Sequence, residues 1–138
     1  MTEIILDIAS FWRPALVVIV TWLIAQGAKW IHDLRTHKKV RWFENGGMPS
    51  SHTAGIVGLL MVVLVEQSLS MLFLVTFVLT IIVIDDAMGV RWETSKHSRF
   101  LNELTGKREF KVVGHKPIEV AVGFLIGVLV PLFLYSFL

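Results

Sequence analysis

Two short blocks carry side chains that could do chemistry together. The first is "GGMPSSH", Gly46 to His52. Gly46 and Gly47 permit backbone angles that other residues avoid, and Pro49 pins the turn. Ser50 or Ser51 can cap the helix that follows. The first turn of that helix presents N–H groups and a positive partial charge, which together suit an anion. His52 sits in that turn, where it could hand a proton to a leaving oxygen. The same residues would also make a plain capped helix with a surface histidine. The second block is "GHKPIE", Gly114 to Glu119. His115 precedes a helix started by Pro117. Glu119 lies four residues on, one helical turn away, so its carboxylate can accept the ring N–H of His115. That would fix the tautomer and leave the other ring nitrogen as a nucleophile. The plainer alternative is an interfacial histidine beside a carboxylate that favours the helix start.

The elements that must position these blocks are hydrophobic. The chain has 138 residues, 54% of them hydrophobic and 17% charged, against about 25% charged in ordinary soluble domains. This length suits one domain, residues 1–138. Apolar runs predict an all-α integral membrane fold with spans at about 10–28, 51–65, 69–85 and 117–138. The second is short for a span. "EQS", Glu66 to Ser68, predicts a tight helical hairpin between spans two and three. The other links, 29–48 and 86–116, are long and basic. Within the latter, Phe100, Leu101 and Leu104 share one face of an amphipathic helix expected to lie at the interface.

Charge is unevenly placed. The formal net charge is +2, yet five of the 13 Lys and Arg lie between Lys29 and Arg41 and seven between Arg91 and Lys116. Only Arg13 stands apart. With four spans both basic links share one side, which the charge bias puts in the cytoplasm, at the plasma (inner) membrane of a bacterium. Glu3 and Asp7 stand where a signal peptide would carry basic residues, so the first span is expected to be retained. There are no cysteines, which excludes disulfides and thiolate metal sites. Asp85 and Asp86 could hold Mg²⁺ through water, but adjacent residues point to different helix faces. No metal or other cofactor is expected, and no nucleic acid partner. "GFLIG", Gly123 to Gly127, is a small-xxx-small pair that permits close helix packing, within the chain or with a second copy.

Taken together, "GGMPSSH" and "GHKPIEVAVGFLIG" resemble the divergent branch of the type 2 phosphatidic acid phosphatase superfamily, which is related to acid phosphatases and vanadium haloperoxidases. The resemblance runs from "AQGAK" (Ala25 to Lys29) to Gly127 and takes in "DDAMGVRW" and the pair Leu101, Asn102. It implies a PAP2-like helical bundle and metal-free hydrolysis of a lipid phosphate through a phosphohistidine. The superfamily's Pro-Ser-x-His block falls on Pro49, Ser50, Ser51 and His52, and implies a leaving-group acid at His52. Its His-x-x-x-Asp block falls on His115 and Glu119, with Glu in place of Asp. Its phosphate-binding Lys falls on Lys29. The resemblance also departs in two places. The Arg expected seven residues after Lys29 is Thr36, and the Arg expected six before His115 is Glu109. Arg91 is favoured as the second phosphate cation, with Asp86 holding it; Arg108 and Lys111 are rivals. The expected phosphate-binding set is therefore Lys29, Ser50, Ser51 and Arg91, supported by Gly47, Pro49, Asp86 and Asn102. The superfamily core has more helices than this chain supplies, so either a minimal core suffices or a homodimer completes it. A cytoplasmic site would favour phosphatidylglycerophosphate or phosphatidic acid, and an outward one undecaprenyl pyrophosphate. The competing reading is a non-catalytic protein that binds or translocates a lipid phosphate.

Overall fold

The computed structural model describes residues 2–36, 47–107, 110 and 114–137, with residues 2–10 described by backbone only. Gly46, Trp42, Phe43 and the rival cations Arg108 and Lys111, with Glu109, lie outside the described residues. Five helices follow one another: α1 (Thr2–Arg35), α2 (Ser51–Gln67), α3 (Met71–Met88), α4 (Val90–Thr105) and α5 (Pro117–Tyr135). Three stretches, Phe11–Arg35, Met71–Thr105 and Pro117–Tyr135, contain helix long and apolar enough to cross a membrane. α2 is shorter, at 17 residues, and apolar.

α1 outruns its expected end. Its 34 residues continue to Arg35, so residues 29–35 are helix and not link. At 1.5 Å per residue it is about 51 Å long, against a hydrocarbon thickness of about 30 Å. Lys29 and the residues after it therefore have a rigid support. The buried positions Val17, Thr21, Ala25, Lys29 and Asp33 recur every four residues, a single stripe that turns from apolar to charged. The α2–α3 hairpin is as tight as expected. Ser70 caps α3, its Oγ accepting the Phe73 N–H at 3.2 Å.

α2 lies at the centre and packs on α1, α3 and α5. Small residues make this possible. A Cβ added at Gly127 would lie 2.7 Å from Val57 Cβ and 2.8 Å from the Ala54 carbonyl oxygen. At Gly123 it would collide with the carbonyl oxygen of Ser50. The small-xxx-small pair is thus used inside the chain, against the first half of α2. Most of α3 faces outward: Leu74, Val75, Val78, Leu79, Ile81 and Ile82 are exposed, whereas Thr76 and Thr80 are buried. Both threonine hydroxyls donate to carbonyls one turn back, at 2.7 and 2.8 Å, which satisfies them without water. An apolar exterior around a polar-tolerant interior is what a bilayer requires. At the end where α1 begins and α2 and α5 finish, the Tyr135 hydroxyl donates to Glu66 Oε1 at 2.6 Å and the Arg13 guanidinium lies 5.1 Å from the Tyr135 ring centre.

The close α2–α5 approach yields a stability prediction. Gly127→Ala should destabilise the bundle by about 1–3 kcal/mol, the usual cost of overpacking. Gly27→Ala, on α1 with nothing within 4 Å of the added methyl, should be neutral or slightly stabilising. Denaturant unfolding of both variants in detergent micelles checks this.

Candidate functional site

The site forms where α2 and α5 begin. Ser50 is the N-cap of α2, with extended backbone angles and complete burial. Its Oγ accepts from the Thr53 N–H at 3.4 Å and from the Thr53 hydroxyl at 2.9 Å. Ser51 and His52 open the helix; Ser51 is buried and His52 is exposed. Their N–H groups belong to the first turn, which has no carbonyl one turn back to accept them. The Met48–Pro49 peptide bond leading into this turn is cis.

The second half is held by three consecutive N–H groups. Gly114 N–H donates to Ser95 Oγ on α4 at 2.6 Å. His115 N–H donates to the Ala87 carbonyl at the end of α3 at 3.3 Å. Lys116 N–H donates to Glu119 Oε2 at 3.0 Å. Gly114 could carry no side chain, because a Cβ there would lie 2.6 Å from the Arg91 carbonyl oxygen. His115 is thereby pressed against the α3–α4 junction and is 2% exposed. Its Nδ1 lies 3.2 Å from Glu119 Oε2. A carboxylate oxygen there calls for the proton on Nδ1, which leaves the lone pair on Nε2. Nε2 is buried and has no hydrogen-bond partner among the described residues.

The two halves are joined directly. Ser50 N–H donates to the Glu119 carbonyl oxygen at 2.9 Å. Arg91 stands on the first turn of α4, and its Nε donates to Asp86 Oδ2 at 2.5 Å across the turn at Gly89. Lys29, 3% exposed, reaches the same region from α1. Arg91, His115, Lys29 and Asp86 all lie close enough to His52 to act on its charge. The structure therefore gathers Lys29, Ser51, His52, Asp86, Arg91, His115 and Glu119 from five helices into one polar centre, in which two carboxylates stand with two cations.

Two expected site residues have other duties. The Ser50 N–H cannot also serve a phosphoryl oxygen, because it is committed to Glu119; Ser50 works as the joint between the blocks. Asn102 stands apart: its side-chain amide grips the backbone of Phe110, accepting its N–H at 2.9 Å and donating to its carbonyl at 2.8 Å. That contact shapes the link after α4. Two residues went unnoticed in the sequence. Ser95 donates to the Arg91 carbonyl at 2.8 Å while accepting from Gly114, so it ties the cation to the His115 segment. Asp33, 4% exposed, lies one turn beyond Lys29. The spacing Gln26, Lys29, Asp33 would have signalled a polar stripe had the helix been expected to continue. Among the described residues no three His, Asp or Glu side chains gather as metal ligands.

Fold and site together define an all-α integral membrane protein with a His–carboxylate pair and two cations set at one end of its bundle. Residues 13–130 match the family model described as the Divergent PAP2 family, and the chain belongs to that family. A curated relative, the uncharacterized membrane protein YuiD of Bacillus subtilis (strain 168), is 32% identical over 149 aligned positions, covering 90% of this chain and 94% of the relative. No solved structure matches the chain significantly.

The difference in burial predicts a difference in reactivity. Diethyl pyrocarbonate should modify exposed His52 well before His115, which is 2% exposed. Peptide mapping by mass spectrometry over a time course measures the order.

Proposed function

We propose that the chain is a membrane-embedded phosphatase that hydrolyses lipid phosphate monoesters through a phosphohistidine. The observation that carries this reading is His115: a buried imidazole with Nδ1 against Glu119 and an Nε2 with no hydrogen-bond partner among the described residues, in a centre where Lys29 and Arg91 lie near His52. In the first step Nε2 attacks phosphorus and the ester P–O bond breaks. His52 gives its proton to the departing alkoxide. Lys29, Arg91 and the first-turn N–H groups of Ser51 and His52 stabilise the phosphoryl oxygens as charge spreads over them. In the second step His52 takes a proton from water, the water oxygen bonds to phosphorus, and the P–N electron pair returns to Nε2. Inorganic phosphate leaves. The steps use side chains and backbone N–H groups of this chain with one water, and none is routed through a metal ion.

The two basic blocks support a site on the cytoplasmic side of the bacterial plasma membrane, which favours phosphatidylglycerophosphate or phosphatidic acid. α4 supports a lipid substrate in another way. Phe100, Leu101 and Leu104 are exposed on a helix whose first turn carries Arg91, so the site borders an apolar surface suited to the interface.

Purified protein in detergent should release inorganic phosphate from a lipid phosphate panel at a rate that EDTA does not change. His52→Ala should slow release about 10²–10⁴-fold. His115→Ala should abolish it while remaining monodisperse on gel filtration. Undiminished turnover by His115→Ala would refute the mechanism.

A further inference from the structure

One buried carboxylate in this centre takes no part in the chemistry above. Lys29 and Asp33 stand one turn apart on the buried stripe of α1, 3% and 4% exposed. Gly47, with φ +90°, crosses over both: a Cβ placed there would lie 3.5 Å from Lys29 Cε and 3.9 Å from Asp33 Oδ1. Asp33 therefore lies on the Lys29 side of the centre, beneath the turn at Gly47 that leads to Ser50 and His52. Its Oδ1 is 3.8 Å from His32 Nδ1, at the margin of an ion pair. Its Oδ2 is buried and accepts no hydrogen bond among the described residues.

A countercharge for Lys29 explains why an acid is tolerated here, since a buried ammonium needs one. It does not explain the second oxygen. A buried acceptor left without a donor is costly, and a carboxylate beside a bound phosphate adds like-charge repulsion. Both costs fall if the ligand itself places a donor between the two anions. A simple alkyl phosphate has no such donor on its alcohol. A polyol phosphate has a hydroxyl one or two carbons from the ester oxygen. A hydroxyl also suits a dry site better than an ammonium, which would bring its own desolvation cost.

We infer that Asp33 is a specificity-determining residue: its Oδ2 accepts a hydroxyl on the alcohol part of the phosphomonoester, so the site prefers polyol phosphate head groups, as in phosphatidylglycerophosphate, to simple alkyl phosphates and to phosphatidic acid, whose glycerol hydroxyls are acylated. This inference rests on reading the centre as a phosphate monoester site. It discriminates by withholding as well as by offering, because a ligand without the hydroxyl leaves Asp33 unpaired and repelled.

The test is equilibrium binding, which is readable whether or not the protein turns substrate over. Isothermal titration of the purified full chain in detergent compares glycerol 3-phosphate with propyl phosphate, which lacks the two hydroxyls. The native protein should prefer glycerol 3-phosphate by about tenfold or more. Asp33→Ala should remove the preference. Asp33→Asn, closer in shape should the alanine variant fail to fold, should strengthen propyl phosphate binding and shrink the ratio. Loss of a mere countercharge would move both affinities together and leave the ratio unchanged, which would overturn the inference. Equal affinities in the native protein would overturn it while leaving the phosphate site standing. Binding of neither compound would overturn the inference and the phosphate site together.

Discussion

A backbone hydrogen bond, from Ser50 N–H to the Glu119 carbonyl at 2.9 Å, joins the two halves of the candidate site. It ties the cap of α2 to the first turn of α5, residues far apart in sequence. The bond can form only because α5 offers no side chain where the two segments meet: a Cβ at Gly123 would strike the Ser50 carbonyl. The same glycine stripe continues at Gly127 and lets α5 lie along α2. Helix packing and site assembly are therefore one constraint. What places His115 beside His52 is what holds the bundle together.

The electrostatics follow from that joint. Bringing α2 and α5 together at their starts aims two helix N-termini, each with positive partial charge, into one place. Lys29 and Arg91 add full charges there. Such a concentration would be unfavourable without Asp33, Asp86 and Glu119, each set beside a cation or an imidazole. These carboxylates offset the two cations, so the groups can sit together away from water. At the opposite end of the bundle the Glu66–Tyr135–Arg13 contact pairs polar groups with one another.

Much of this was legible in the sequence because it is local. Hydrophobic runs separated by polar links declare membrane helices, and the pairing of His115 with Glu119 follows from one helical turn. Asp86 beside Arg91 is likewise a short-range relation. What was hidden depends on distant contacts. The commitment of the Ser50 N–H is set by α5, so a free cap donor could not be ruled out from residues 46–52. The partner of the Gly123–Gly127 pair is α2 of the same chain, a fact that spacing alone cannot supply. Asp33 and Ser95 were missed for a related reason. Lys29 was placed at the start of a link, whereas α1 continues to Arg35 and carries Asp33 beneath the turn at Gly47. Ser95 looked like one more polar residue on an amphipathic helix, and only Gly114 gives it a purpose.

The central claim is that His115 Nε2 forms a bond to phosphorus. Rapid quenching of the purified protein with a lipid phosphate at alkaline pH, followed by peptide mass spectrometry, tests it directly. The account predicts one added phosphoryl group on His115, labile to acid and stable to base, and absent from the His115→Ala variant. Phosphate release with no phosphoryl group on His115, or with the group on another residue, would contradict it.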